Sequence, residues 1–211
     1  PKKIVRAKVT YADIAGLDGS AGKAGLPGVM VNQLAQMDGF LHVVRQFENA
    51  SVPHLAGSID PIRDIQTMDT DFILNDLVMV ERRLEKLREE HRRGVSRPRD
   101  VIQAEIDLFE RLETMLNDEK PLRHYDFTAE EDKILSSFGF LSRKPQIVVF
   151  NISEDQTAPD YTSPHPHTTV VSFPAKLEMD IMALEPEDAA IFMEEFGVKE
   201  LGMSRLIKVS K

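Results

Sequence analysis

Lys144-Pro-Gln-Ile-Val-Val-Phe-Asn-Ile-Ser-Glu-Asp155 is the stretch on which the fold turns. Its apolar run, Ile147–Phe150, is β-branched and aromatic, follows a proline and breaks off at Asn151. A run this short without alternation reads as a strand buried on both faces, the pattern of a parallel sheet. Gly39–Arg45 (GFLHVVR) reads the same way, with His42 as a satisfied core histidine. Thr168–Phe173 (TTVVSF) supplies a further strand. Upstream, Ile4–Ile14 alternates apolar and polar residues and predicts another strand, ending at the acidic Asp13.

Between these strands the period changes. Pro61 suits a first helical turn, and Ile73, Leu74, Leu77, Val80, Leu84 and Leu87 follow at mixed three- and four-residue spacing. After the polar break Arg93–Pro98, a second stripe runs Ile102, Ile106, Phe109, Leu112, Leu116. Two long amphipathic helices with a short Gly/Pro turn predict an antiparallel hairpin of coiled-coil type. A short helix is expected over Val29–Gln36, and a capping box at Thr128 and Glu131 opens another. Glu187–Phe196 forms a last helix, between Pro186 and Gly197. Gly16, Gly19, Gly22, Gly25 and Gly28 crowd one stretch and predict a loop, because each adds backbone freedom that ordering must overcome. The fold class is α/β, a mostly parallel sheet with an inserted helical hairpin. The segments are 1–60, one part of an α/β unit; 61–120, the hairpin; and 121–211, the remainder of that unit.

Composition narrows the classes. A chain of 211 residues, 42% hydrophobic and 29% charged, has the make-up of a globular protein. Its apolar runs fall far short of the roughly 20 residues needed to cross a bilayer, and no signal-peptide pattern opens it. No membrane partner is expected. The absence of cysteine rules out disulfides and thiolate metal sites and fits the cytosol. A net charge of −9 argues against a surface built to hold nucleic acid as a whole, and no DNA partner is expected.

Three motifs stand in one order where strands meet loops. Asp13-Ile-Ala-Gly16 pairs an acid suited to a Mg²⁺ water shell with a glycine whose N–H can approach a terminal phosphate. Asn151-Ile-Ser-Glu154 offers a residue to hold a base-binding loop and a carboxylate to accept from a base edge. Ala175-Lys-Leu-Glu178 can close over the base. Singly each is weak, and a turn asparagine is common on conformational grounds alone.

These motifs, together with PKKIVRAKVTYADIAGL, FLHVVRQFE, GSIDPIRDI, DFILNDLVMVERRLEKL, KPLRHYDFT, NISED, PAKLEMDI and FGVKELGMSRLI, resemble the Obg-like ATPase (YchF) family of P-loop proteins over nearly the whole chain. The resemblance implies an Obg-type G domain that binds ATP or GTP with Mg²⁺ and associates with ribosomes. It makes Asp13 the Mg²⁺-linked acid, Gly16 the phosphate contact, Asn151 and Glu154 the base readers, and Lys176 and Leu177 the flanks of the base. Leu17 stands where related GTPases carry a water-positioning glutamine, which implies either slow hydrolysis or another group that places the water. The family's G-x-x-x-x-G-K-[ST] loop is not found. GLDGSAGKA (16–24) imitates it but ends in Ala24, without a hydroxyl for Mg²⁺, and is read as the switch loop with Lys23 a lesser candidate. The family's C-terminal TGS domain is likewise not found, and Pro174 falls where the family commonly has serine. The expectation is therefore a switch domain impaired in hydrolysis, or a nucleotide-incompetent ribosome- or protein-binding module.

The hairpin tip bears on that choice. Eight basic residues fall between Arg82 and Arg99 against three acidic ones. Arg82, Arg83, Arg88, Arg92, Arg93 and Arg97 are either a solvated helix face stabilised by pairs such as Glu89–Arg93, or a contact for ribosomal RNA phosphates. His165 and His167, two apart in a proline-rich loop, could bind a metal adventitiously but read first as solvated.

Overall fold

A computed structural model describes residues 8–14, 26–94 and 97–210. Three strands form one parallel sheet in the order β1 (Phe40–Arg45), β2 (Gln146–Asn151), β3 (Thr168–Phe173). Phe40 lies opposite Gln146, which lies opposite Thr168; at the far end Arg45, Asn151 and Phe173 come level. The expected strand over Ile4–Ile14 is not among them. Residues 8–14 take no regular structure, and 4–7 lie outside the described residues. Alternation marks a chain able to pair, but a strand also needs an edge in register, and this segment instead inserts Ile14 beside helix α1 (Gly28–Ala35).

The chain leaves β1 for the hairpin and returns to the neighbouring strand β2. Helix α2 (Pro61–Arg93) starts where Asp60 accepts from the Arg63 N–H at 3.0 Å, with Pro61 in the first turn. It ends at Gly94, whose φ of 66° suits a residue without Cβ. Its 33 residues span about 50 Å. The first turns cover the sheet, Ile65 packing with Val44, Val148 and Phe150. Beyond them, Val80, Leu84 and Leu87 meet Ile102, Ile106, Phe109, Leu112 and Leu116 of α3 (Arg99–Asn117).

The foot of this arm is held by polar groups. Asp76, fully buried, accepts from the N–H groups of Leu141 (2.9 Å) and Ser142 (2.7 Å), just ahead of β2. Ser142 in turn accepts through Oγ from Leu122 N–H and through its carbonyl from Arg123 N–H. Burial pushes the Asp76 carboxyl up to about 6, against hydrogen bonds from Ser142, Leu141 and Asn75 that pull it down. Arg123, in a short 3₁₀ turn (Leu122–His124), donates to Asp69 of α2 at 2.6 Å and to Thr168 Oγ1 of β3 at 3.0 Å.

The expected capping box is present: Thr128 accepts from Glu131 N–H and Glu131 accepts from Thr128 N–H, opening α4 (Ala129–Leu135). After β3 come α5 (Ala175–Met182), α6 (Pro186–Glu195) and α7 (Gly202–Val209). Glu178 caps α7 by accepting from Gly202 N–H at 2.6 Å. A Cβ on Gly202 would stand 2.1 Å from the Phe173 ring, so only glycine lets α7 sit this close to β3. Leu206 then covers Val149 and Val171 on the second face of the sheet. The prediction that GFLHVVR is buried on both faces fails here. On that second face Leu41 and Val43 of β1 are 38% and 56% exposed, because α7 covers the β2–β3 side and, among the described residues, no element reaches β1.

Candidate functional site

Parallel α/β sheets bind ligands outside the carboxyl ends of their strands, where loops diverge from a rigid base. Here that edge is Arg45, Asn151 and Phe173. Asn151 closes β2 and accepts through Oδ1 from the Ala175 N–H, 3.3 Å away at the start of α5. One side chain therefore ties the loop after β2 to the segment after β3.

The β2 loop is ordered by its own polar groups. Ser153 N–H donates to Gln156 Oε1 at 3.0 Å, and Gln156 Nε2 donates to the Gln46 carbonyl at 3.1 Å, joining it to the end of β1. A hydrogen bond from the Ser153 hydroxyl holds the Asp155 carboxyl below its usual range. Glu154 projects into solvent between them, with no ion pair among the described residues. Arg45 folds the loop after β1 around itself, donating to the carbonyls of Phe47 (2.9 Å) and Val52 (2.7 Å) and lying 4.8 Å over the Phe47 ring.

Of the residues singled out in the sequence, Asn151, Glu154 and Lys176 gather at this edge. Lys176 is exposed and bonds to Asp180 at 2.6 Å, one turn on. Leu177 is only 8% exposed and faces inward. Asp13 is exposed and stands elsewhere. Its neighbour Ile14 joins Met30, Leu34, Phe72 and Leu141, the cluster beside Phe40 at the opposite end of β1. Five strand steps at about 3.3 Å separate the two ends by roughly 16 Å. Gly16, Leu17 and Lys23 lie outside the described residues. Among the described residues, no group of three or more His, Asp or Glu is arranged to hold a metal ion. Asp13 and the Asn151 edge thus lie toward opposite ends of the sheet.

Sequence reading missed Arg45, Gln156 and the capping role of Glu178. Arg45 and Gln156 act through backbone carbonyls, which no residue pattern announces. A charged residue closing an apolar strand was the one available signal for Arg45.

The basic hairpin tip is largely neutralised from within. Arg83 and Arg97 both bond to Glu105, at 2.5 Å each, and Arg97 also reaches Glu90 at 3.3 Å. Burial would raise the Glu105 carboxyl, but hydrogen bonds from Arg97 and Arg83 overcome it and hold the group below its usual range. Arg88 pairs with Glu110 at 2.8 Å, Arg93 with Glu89 at 2.5 Å, and Arg92 with Glu89 at 3.8 Å. Arg82 is exposed and has no ion pair among the described residues.

His42 is not the satisfied core histidine expected. Its Nδ1 is buried without a partner, and burial lowers its pKa, with Asp69 and Asp64 opposing. His165 is half-buried, its Nδ1 3.2 Å from that of His124. Desolvation and the nearby Arg123 favour its neutral form.

Three parallel strands, flanking helices and an arm inserted between adjacent strands make an α/β fold, consistent with the P-loop NTPase type. Comparison with solved structures agrees: the Schizosaccharomyces pombe YchF GTPase superposes with a TM-score of 0.74 at 24% identity, over 87% of this chain and 52% of that one. The ribosome-binding ATPase YchF of Bacillus subtilis is 32% identical over 222 aligned residues, covering 100% of this chain and 59% of the relative. Obg-like ATPase 1 of Oryza sativa subsp. indica is 28% identical over 92% of this chain and 52% of its own length. No protein-family model matches. The chain is thus a homologue, along its whole length, of the Obg-like ATPase (YchF) family, and spans little more than half of the relatives it matches.

Proposed function

We propose that this chain is the nucleotide-binding switch unit of a ribosome-associated Obg-like ATPase, taking the base of ATP or GTP at the C-terminal ends of β2 and β3. The observation that carries the reading is the Asn151–Ala175 hydrogen bond, which draws the two base-side loops together at the edge where such sheets bind ligands. Glu154 is free there to accept from a base edge, and Lys176 can leave Asp180, an exposed pairing worth less than about 1 kcal/mol. Leu177 supports the loop from beneath. Residues 1–60 and 121–211 would be two parts of one nucleotide-binding unit, interrupted by a hairpin over 61–120.

When bound, Mg²⁺ would supply charge neutralisation at the phosphates, with Asp13 the acid and Gly16 the backbone contact that the family resemblance assigns. Leu17 cannot orient a water molecule, which supports slow hydrolysis. Titration with fluorescent ATP and GTP analogues, with and without Mg²⁺, tests the reading. Saturable binding that weakens in Asn151→Ala is expected; no binding by the wild-type chain would overturn it.

A second reading, a ribosome-binding module acting through the hairpin, is favoured by Arg82, Arg92 and Arg93, whose guanidinium groups face solvent. The relatives' name, ribosome-binding ATPase, and cytoplasmic ribosomes as the implied setting support it. Arg83 and Arg97 are committed to Glu105 and would contribute rigidity rather than phosphate contact. Reversing Arg82, Arg92 and Arg93 to glutamate should reduce co-sedimentation with ribosomes; unchanged co-sedimentation would remove ribosomal RNA contact by the tip.

A further inference from the structure

Helix α6 folds without one fully buried residue. Pro186 and two acids, Glu187 and Asp188, favour its first turn, and Gly197 (φ 66°) ends it, yet none of its ten residues is buried. A helix this short gains little on its own and ordinarily depends on packing an apolar face. That face is present and open: Ile191 is 62% exposed, and Phe192 and Phe196 stack on one another 5.8 Å apart. The adjoining α5 adds Met182, also 62% exposed.

The rim decides what can cover it. Glu185, Glu187, Asp188, Glu194 and Glu195 are all exposed and make no ion pair among the described residues. A nucleic acid or an anionic lipid surface would be repelled. A second copy meeting the patch through a two-fold axis would set these acids against themselves. We infer that the α5–α6 surface docks a basic amphipathic helix of a partner protein, whose apolar stripe covers Ile191 and Phe192 while its lysines or arginines meet the acidic rim. The patch takes Met182 from the C-terminal end of α5 and shares no residue with the hairpin tip or the base-side loops, so it goes beyond both readings of function.

A fluorescein-labelled 14-residue leucine–lysine amphipathic peptide serves as the probe in anisotropy titrations with the full chain. Saturable binding is expected, weakened about tenfold or more by the pair Ile191→Asp and Phe192→Asp. Because that pair adds negative charge, purely electrostatic attraction would strengthen instead, and that result overturns the inference. Glu187→Gln with Glu194→Gln should weaken binding, whereas Glu81→Gln with Glu85→Gln on the hairpin should leave it unchanged. Equal losses in both acidic variants, or no binding by the wild-type chain, overturn it. So does a concentration-dependent dimer abolished by the Ile191/Phe192 pair, or association with phosphatidylserine vesicles. All these positions are exposed, so the variants keep the fold, checked by circular dichroism.

Discussion

At the N-terminal end of the sheet, polar groups are locked by buried partners; at the C-terminal end they are tied by bonds that are part-buried or exposed. The first end holds Asp76 on two backbone donors, and Arg123 on Asp69 and Thr168. There too the Lys144 ammonium, its pKa lowered by burial, caps the carbonyls of Ala35 and Met37. The second has Asn151 on Ala175 and Gln156 on Gln46, with Glu154 free. Local stability follows the depth and number of such contacts, and loops that must accept a ligand come from the weaker end. This fold anchors its arm at one end of the sheet and leaves the other adaptable.

Removing a lock should cost most. Arg123→Ala strands the buried Asp69 carboxylate and should destabilise by about 3–5 kcal/mol, read from the midpoint of urea unfolding. A loss no larger than that of a surface variant would break the contrast.

Asp76 comes next. With its folded pKa raised to about 6, above the unfolded value near 4, the folded state holds the proton more tightly between those limits. The stabilisation this gives is complete below about pH 4 and lost as pH rises through about 6, a swing on the order of 3 kcal/mol. Unfolding midpoints across pH 4–7 should fall for the wild-type chain and flatten in Asp76→Asn. A rise with pH would reverse the assignment.

At the adaptable end the effects shrink. Asn151→Ala should cost about 1 kcal/mol in stability, yet loosen the approach of α5 to the β2 loop, seen as faster amide exchange at Ala175. Glu154→Ala should change stability by no more than about 0.5 kcal/mol, and lower only affinity for the base. A large stability loss from Glu154→Ala would mean that this end is locked as well.

How much of this was legible depends on how far apart the partners lie. The hairpin announces itself through the Ile73–Leu87 and Ile102–Leu116 stripes, and the capping box through Thr128 and Glu131, because these signals are local. Asp76 and Leu141 are 65 residues apart, so the clip at the foot of the arm has no sequence signature. The charge count at the hairpin tip is incomplete for the same reason. Glu105 and Glu110 neutralise arginines 22 positions away, on the facing helix, where no count within one helix would find them. The Ile4–Ile14 alternation states that a chain can be a strand but not whether an edge receives it. At the candidate site the Asn151 and Glu154 positions were readable from the strand end, whereas Arg45 and Gln156 were not, because they act on carbonyls.

The most direct measurement is equilibrium titration of a fluorescent ATP analogue against the wild-type chain and Asn151→Ala, whose folds are matched by circular dichroism. Saturable binding that weakens about tenfold in the variant, the worth of one well-placed hydrogen bond, is the result expected if the β2–β3 edge holds the base. Equal affinity in the two proteins, or no binding in either, would contradict it.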